Sequence, residues 1–184
     1  MTLGEAKRKV LMLLDEYSIG GEVSADADVD AKMNDFFDIA QRDAAAWQPI
    51  VRRMEMSLDG SGSTELPDDV SRVIRVRKNG VRVSGYEVVD GSLVYPEGDR
   101  SLLTLDYIAR PEAITPDTPD DYEFEVSDEA ANCLPFFVAA QDIVDDLVVD
   151  DAAFYSLYLQ LRSMLPRSTI TPIAERKNTK MEEM

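Results

Sequence analysis

Two dipeptides, Asn79-Gly80 and Asp90-Gly91, constrain the fold of this chain more than any other feature. VSRVIRVRK precedes the first, VRVSGYEVV lies between them, and SLVY follows the second. A two-residue hairpin with a type I′ turn needs positive φ at both turn positions, and Asn-Gly and Asp-Gly tolerate it best. The turn PEGD and a further strand-like run, SLLTLDYIA, come next. The pattern predicts an antiparallel meander of about four strands between residues 70 and 109, with Ser84-Gly85 as a candidate bulge in its second strand.

Helical periodicity brackets this region. A first helix is expected over about residues 2–17, with Leu3, Val10, Leu13, Leu14 and Tyr17 on one face, Thr2 as N-cap and Gly20-Gly21 as the stop. A second is expected from about Asp28 to Leu58, on the spacing of Val29, Met33, Phe36, Phe37, Ala40, Ala44, Trp47 and Val51. Pro49 interrupts that pattern and predicts a kink or break near Trp47–Gln48. After the loop 59–69, the strands and a proline-punctuated acidic connection over 110–126, Ser127 is placed to cap a third helix running to about Val149. Pro135 falls in its early turns or breaks it. A fourth helix starts at Asp150-Asp151 and ends at Pro166. The expected fold is therefore α+β and mainly α: a helical bundle of about four helices with an antiparallel β-meander inserted between helices 2 and 3. The divisions read as 1–58 and 127–165 for the bundle, 59–126 for the β-rich insertion with its flanking loops, and 166–184 for a flexible C-terminal tail.

Composition narrows the chemistry. The chain contains no histidine and one cysteine, Cys133, so the commonest general base, the usual triads and an internal disulfide are all absent. Cys133 lies in an apolar pattern with Phe136, Phe137 and Ala140, where a buried, inert thiol is the default. Asp26-Ala27-Asp28-Val29-Asp30 resembles the start of a calcium loop, but Ala31 and Phe37 stand where such a loop needs glycine and glutamate. A helix N-cap region explains the string better. The pairs Asp68-Asp69, Asp120-Asp121, Asp145-Asp146 and Asp150-Asp151 are adjacent in sequence, so their side chains diverge and make a solvated acidic surface rather than a cleft. No glycine-rich phosphate loop is present. No cofactor, metal or enzymatic activity is expected, and no apolar run is long enough to span a bilayer.

Charge is unevenly spread. The net charge is −17; residues 111–161 hold 13 Asp or Glu and no Lys or Arg, whereas residues 70–110 hold seven Lys or Arg against five Asp or Glu. So acidic a chain repels nucleic-acid phosphates, which argues against specific DNA or RNA binding.

The order of parts resembles the head–tail adaptor (connector) proteins of the tailed-phage neck. The residues that carry the likeness are DAKMNDFFDIAQRDAAAW, then ELPDDVSRVIRV opening the insertion, then LLTLDYIARPEAITPDTPDDYEFEVSDEAANCLPFFVAAQ, with Tyr107 and the Arg110-Pro111 step at the exit. It covers most of residues 2–165, and the insertion sets this chain apart from the smallest members. The resemblance implies a structural virion protein, made in the host cytoplasm, that forms a homo-oligomeric ring of about twelve copies beneath the portal. Such a ring extends the channel through which DNA passes unbound and docks the next neck or tail protein. It further implies portal contact through the tail, at Arg167, Thr169, Ile170, Thr171, Pro172 and Ile173. Lys7, Arg8, Lys9, Arg52 and Arg53 are then candidates for charge pairing between subunits, and Asp142, Asp145, Asp146 and Asp150 for the channel wall. Two other readings stay open: a monomeric module binding protein or carbohydrate through Tyr86, Tyr95 and Tyr107 on the insertion, and a carboxylate-based hydrolase.

Overall fold

In a computed structural model of the chain, residues 1–14, 27–58, 62–95, 102–141 and 151–166 are described. Helix α1, Leu3–Leu13, opens with a full capping box: the Thr2 hydroxyl accepts from the Glu5 N–H, and the Glu5 carboxylate accepts from the Thr2 N–H at 2.9 Å. Helix α2, Ala27–Trp47, has Asp28 and Asp30 in its first turn, where negative charge meets the positive end of the helix dipole. Met33, Phe37, Ala40 and Ala44 form its buried stripe.

The expectation that this helix would continue to Leu58 is overturned. It ends at Trp47, and Ile50–Ser57 forms strand β1. Pro49 has no N–H to continue the helix and pushes Gln48 out of helical geometry. Beyond it, Ile50, Met54 and Met56 alternate on one side of the strand, so the period changes from 3.6 to 2 at the proline. The β-rich part therefore starts at Ile50 rather than at residue 59.

The remaining helices are α3, Asp128–Ala131, α4, Leu134–Ala139, and α5, Asp151–Met164. Ser127 caps α3 by accepting from the Ala130 N–H, and Pro135 sits in the first turn of α4 just past the break. Together α3 and α4 are one helix interrupted at Asn132-Cys133. The expected run to Val149 enters residues 142–150, which lie outside the described residues. All five helical pieces share one core that includes Leu3, Phe37, Ala130, Leu134, Val138 and Tyr158. Phe37 meets Phe124 at a ring separation of 5.5 Å, and Phe137 meets Tyr158 edge-on at 5.2 Å.

The connection between residues 110 and 127 is laced onto these helices. The Leu3 and Gly4 N–H groups donate to the carbonyls of Tyr122 and Asp120 at 2.8 and 2.9 Å. A Cβ at Gly4 would lie 2.9 Å from the Asp120 Cβ, so the close approach depends on glycine. From α2, the Asn34 amide donates to the Thr115 carbonyl at 2.9 Å. Gln41, wholly buried, donates to the Glu112 carbonyl at 3.2 Å and accepts from the Glu125 N–H at 3.0 Å.

The strands form two antiparallel sheets, not one meander. Besides β1, they are β2 Ser63–Glu65, β3 Val70–Lys78, β4 Val81–Arg82, β5 Glu87–Val89, β6 Ser92–Val94 and β7 Leu102–Ala109. One sheet runs β1-β7-β3-β4 and the other β2-β6-β5. Both sequence hairpins form, with φ of 51° and 78° at Asn79-Gly80 and 47° and 75° at Asp90-Gly91. Gly85, φ 90°, is not a bulge within a strand; it lies between β4 and β5, where the chain leaves one sheet for the other. The bulges fall instead in β3, between Val70 and Arg72 and between Val73 and Arg75. Strand β7 is central because Leu103, Leu105, Tyr107 and Ala109 alternate inward, joining Met56, Val76 and Leu93 in a second core. The result is an α+β fold with a helical core and a small sandwich, each with its own interior.

Candidate functional site

The inner face of the four-stranded sheet packs on the smaller sheet, which leaves its other face outward. Register fixes what that face carries. Asp106 on β7 stands between Arg53 on β1 and Arg75 on β3; Ile108 stands between Val51 and Arg72; Thr104 stands between Glu55 and Arg77; and Arg77 stands opposite Arg82 on β4. Among the described residues, five arginines thus share one surface with two carboxylates, Glu55 and Asp106. In a chain with a net charge of −17 this is a concentrated reversal of sign.

Asp106 organises the middle of the patch. Although 8% exposed, it accepts from Arg53 at 2.7 Å and pairs with Arg77 at 2.9 Å. The bond to Asp106 raises the Arg53 pKa above its ordinary value. Arg72, Arg75 and Arg82 have no ion-pair partner among the described residues, and the buried Nε of Arg75 has no acceptor there. The cross-strand pair Arg77/Arg82 sets like charges directly opposite, an arrangement that destabilises a sheet. The Arg77–Asp106 pair at 2.9 Å offsets part of that repulsion.

A second cluster joins the sandwich to the helices. Arg52, on the inner side of β1, donates to Asp69 at 2.6 Å and to Glu125 in the acidic connection, and the Tyr107 hydroxyl donates to Asp69 at 3.2 Å. Burial works to lower the Arg52 pKa, but its bonds to Asp69 and Glu125 outweigh that and raise it. Burial first, then the Asp69 charge, raises the Tyr107 pKa.

The sequence-predicted charge residues separate into these settings. Lys7 is buried and pairs with Asp120 at 2.9 Å and with Asp30 at 3.9 Å, so it closes α1 onto the acidic connection. Arg8 donates to the Gly4 carbonyl at 3.2 Å and Lys9 to Asn132 at 3.0 Å. Arg52 bridges the two parts, and of these five residues Arg53 alone belongs to the outward arginine face. Asp142, Asp145, Asp146 and Asp150, and the tail residues Arg167, Thr169, Ile170, Thr171, Pro172 and Ile173, lie outside the described residues. Arg72, Arg75, Arg77, Arg82 and Asp106 were not singled out in the sequence; its signal was the slightly basic balance of residues 70–110.

Other candidate sites resolve plainly. Cys133 is buried, its Sγ donates to the Glu129 carbonyl at 3.2 Å, and burial pushes its thiol pKa up, the opposite of what a nucleophile needs. Among the described residues no group of three or more potential ligands is arranged to hold a metal ion, and no helix is long and apolar enough to cross a membrane. An open groove of about 780 Å³ runs between the start of β3 and β5, lined by Leu66, Val70, Val73, Tyr86, Val88 and Val89. Tyr86 is the one insertion tyrosine that lines it; Tyr95 and Tyr107 are buried in the sandwich core. No protein-family model matches the chain, and no curated protein sequence matches it.

Proposed function

We propose that this chain is a structural head-to-tail adaptor of a tailed phage, a subunit of a ring that sits beneath the portal, extends the DNA channel and docks the next neck or tail protein. One observation carries the reading: two separately cored parts, clamped by Arg52, present surfaces of opposite sign. The helical part displays the acidic connection, with Glu112, Asp117, Asp121, Glu123 and Glu129 exposed, and the sandwich displays arginines. A ring closed by head-to-tail contacts needs two different, complementary patches on every copy, and opposite charge supplies complementarity. The resemblance in the order of parts adds the setting. In it, the helical pieces are the bundle of the ring body and residues 166–184 the portal-docking tail. The same acidity that repels phosphates lets DNA slide past without sticking.

Electron microscopy of the purified chain, alone and mixed with the portal protein of the same phage, tests the proposal. Rings, or portal-dependent assembly, are expected. Chain that stays dispersed and ignores the portal refutes it. Deletion of residues 167–184 is expected to leave the fold intact and abolish portal docking. The competing binding-module reading is favoured by the groove beside β5, but a carbohydrate platform needs stacked aromatics, and only Tyr86 is available there.

A further inference from the structure

The outward face of the four-stranded sheet is not built for the stability of one chain. It sets Arg77 against Arg82, leaves the buried Nε of Arg75 without an acceptor among the described residues, and spreads aliphatic side chains between the guanidinium groups. Val51 and Leu102, each about half exposed, and Ile108 are those aliphatics. Arginine interleaved with exposed aliphatics is the composition of a protein–protein contact. A nucleic-acid platform on a sheet uses aromatic rings to stack bases, and among the described residues this face carries none. The overall charge of −17 would also repel a polyanion at longer range.

The same chain holds the complementary surface. Between Glu112 and Glu129, seven exposed carboxylates, those of Glu112, Asp117, Asp120, Asp121, Glu123, Asp128 and Glu129, project from a segment without a single Lys or Arg. The segment is fixed in place by its bonds to α1 and α2, so it is presented rather than loose. Among the described residues of one chain, its ion pairs go to Lys7, the N-terminal amine and Arg52, and none goes to Arg72, Arg75 or Arg82.

We infer that the arginine face of β1-β7-β3-β4 is the docking surface for a second copy of this chain, which presents its acidic 112–129 segment to it. The contact is head-to-tail, so every copy offers one of each surface and association propagates until the ring closes. The inference rests on the ring-forming reading above and names the surfaces that would make the ring. Arg72, Arg75 and Arg82 are the guanidinium groups left to pair across the contact, while Asp106 holds Arg53 and Arg77 in position.

Charge reversal with complementation tests it, using the full chain and sedimentation velocity in low salt, with the portal added where the chain alone does not assemble. R72E/R82E changes two exposed side chains on the face, and D117K/D121K changes two exposed side chains on the segment. Each double variant is expected to weaken self-association by about tenfold or more, because attraction at two sites becomes repulsion. An equimolar mixture of the two is expected to associate again, which misfolded partners would not do. Assembly that survives both reversals overturns the docking surface and leaves the ring reading standing. Loss in each variant without recovery in the mixture also overturns it. Wild-type chain that binds a DNA oligonucleotide through Arg72 and Arg82, and is dissociated by it, assigns the face to nucleic acid instead. Wild-type chain that never assembles, alone or with the portal, refutes the ring reading itself.

Discussion

Replacing Gln41 with alanine is expected to destabilise the helical part by about 2–4 kcal/mol, a figure that follows from what the side chain holds. Gln41 is 0% exposed, and its amide links α2 to both ends of the acidic connection. Its Nε2 donates to the Glu112 carbonyl and to the Tyr122 hydroxyl, each at 3.2 Å, and its Oε1 accepts from the Glu125 N–H at 3.0 Å. Truncation strands the Glu125 N–H and the Glu112 carbonyl, at about 1–3 kcal/mol for each group left unsatisfied in the interior. Glu112 is exposed and Glu125 half-buried, so entering water recovers part of that and about 0.5–1.5 kcal/mol remains for each group. Lost packing of the side-chain methylenes adds about 1 kcal/mol. For a chain of this size such a change lowers the melting temperature by about 5–12 °C. Urea unfolding followed by the fluorescence of Trp47, the single tryptophan, reads the change directly, because Trp47 ends the helix that carries Gln41. Gln41→Leu separates the two contributions, since it keeps most of the volume and loses the bonds. A loss below about 0.5 kcal/mol in both variants would refute the view that this amide ties the connection down.

Three further outcomes follow from the structure. Arg52→Met is expected to cost about 1–2 kcal/mol after discounting for the partial exposure of the pair, and to split unfolding of the sandwich from that of the helices, seen as non-coincident circular dichroism and Trp47 fluorescence transitions. Gly80→Ala should cost about 1–2 kcal/mol through backbone strain alone, since its φ is 78° and a Cβ there meets nothing within 4 Å, and hydrogen exchange in β3 and β4 should accelerate. Tyr158 is buried and donates to Asp43, both of which push its pKa upward, so the folded state favours the neutral phenol. Its contribution is therefore complete below the ordinary tyrosine value of about 10 and is lost as pH rises above it, and Tyr158→Phe should flatten that alkaline fall in a pH series of urea midpoints.

Local features were legible in the sequence and long-range ones were not. The Thr2 N-cap, the Ser127 cap and both hairpin turns are decided by a few adjacent residues and are legible in the sequence, whereas the Glu5 half of the Thr2 capping box was not singled out there. The break at Pro49 was legible too, but the strand after it was not, because Val51 happens to continue the helical spacing of Phe37, Ala44 and Trp47. Strand order was out of reach: β7 pairs with β1 and β3, both distant in sequence, and nothing local specifies those partners. The arginine face was hidden by a bulge. A strict alternation puts Arg72 and Arg75 on opposite faces; the register shift between Val73 and Arg75 brings them to the same one. Gln41 and Asn34 interrupt the apolar stripe of α2 seven residues apart, a spacing that marks buried polar anchors once the connection they hold is known.

Ring formation is tested most directly by the native mass of the assembled protein. Native mass spectrometry of the full chain, alone and with its portal, is predicted to show a closed oligomer of about twelve copies or a portal complex carrying that complement. A spectrum that contains only monomer in both samples would contradict it.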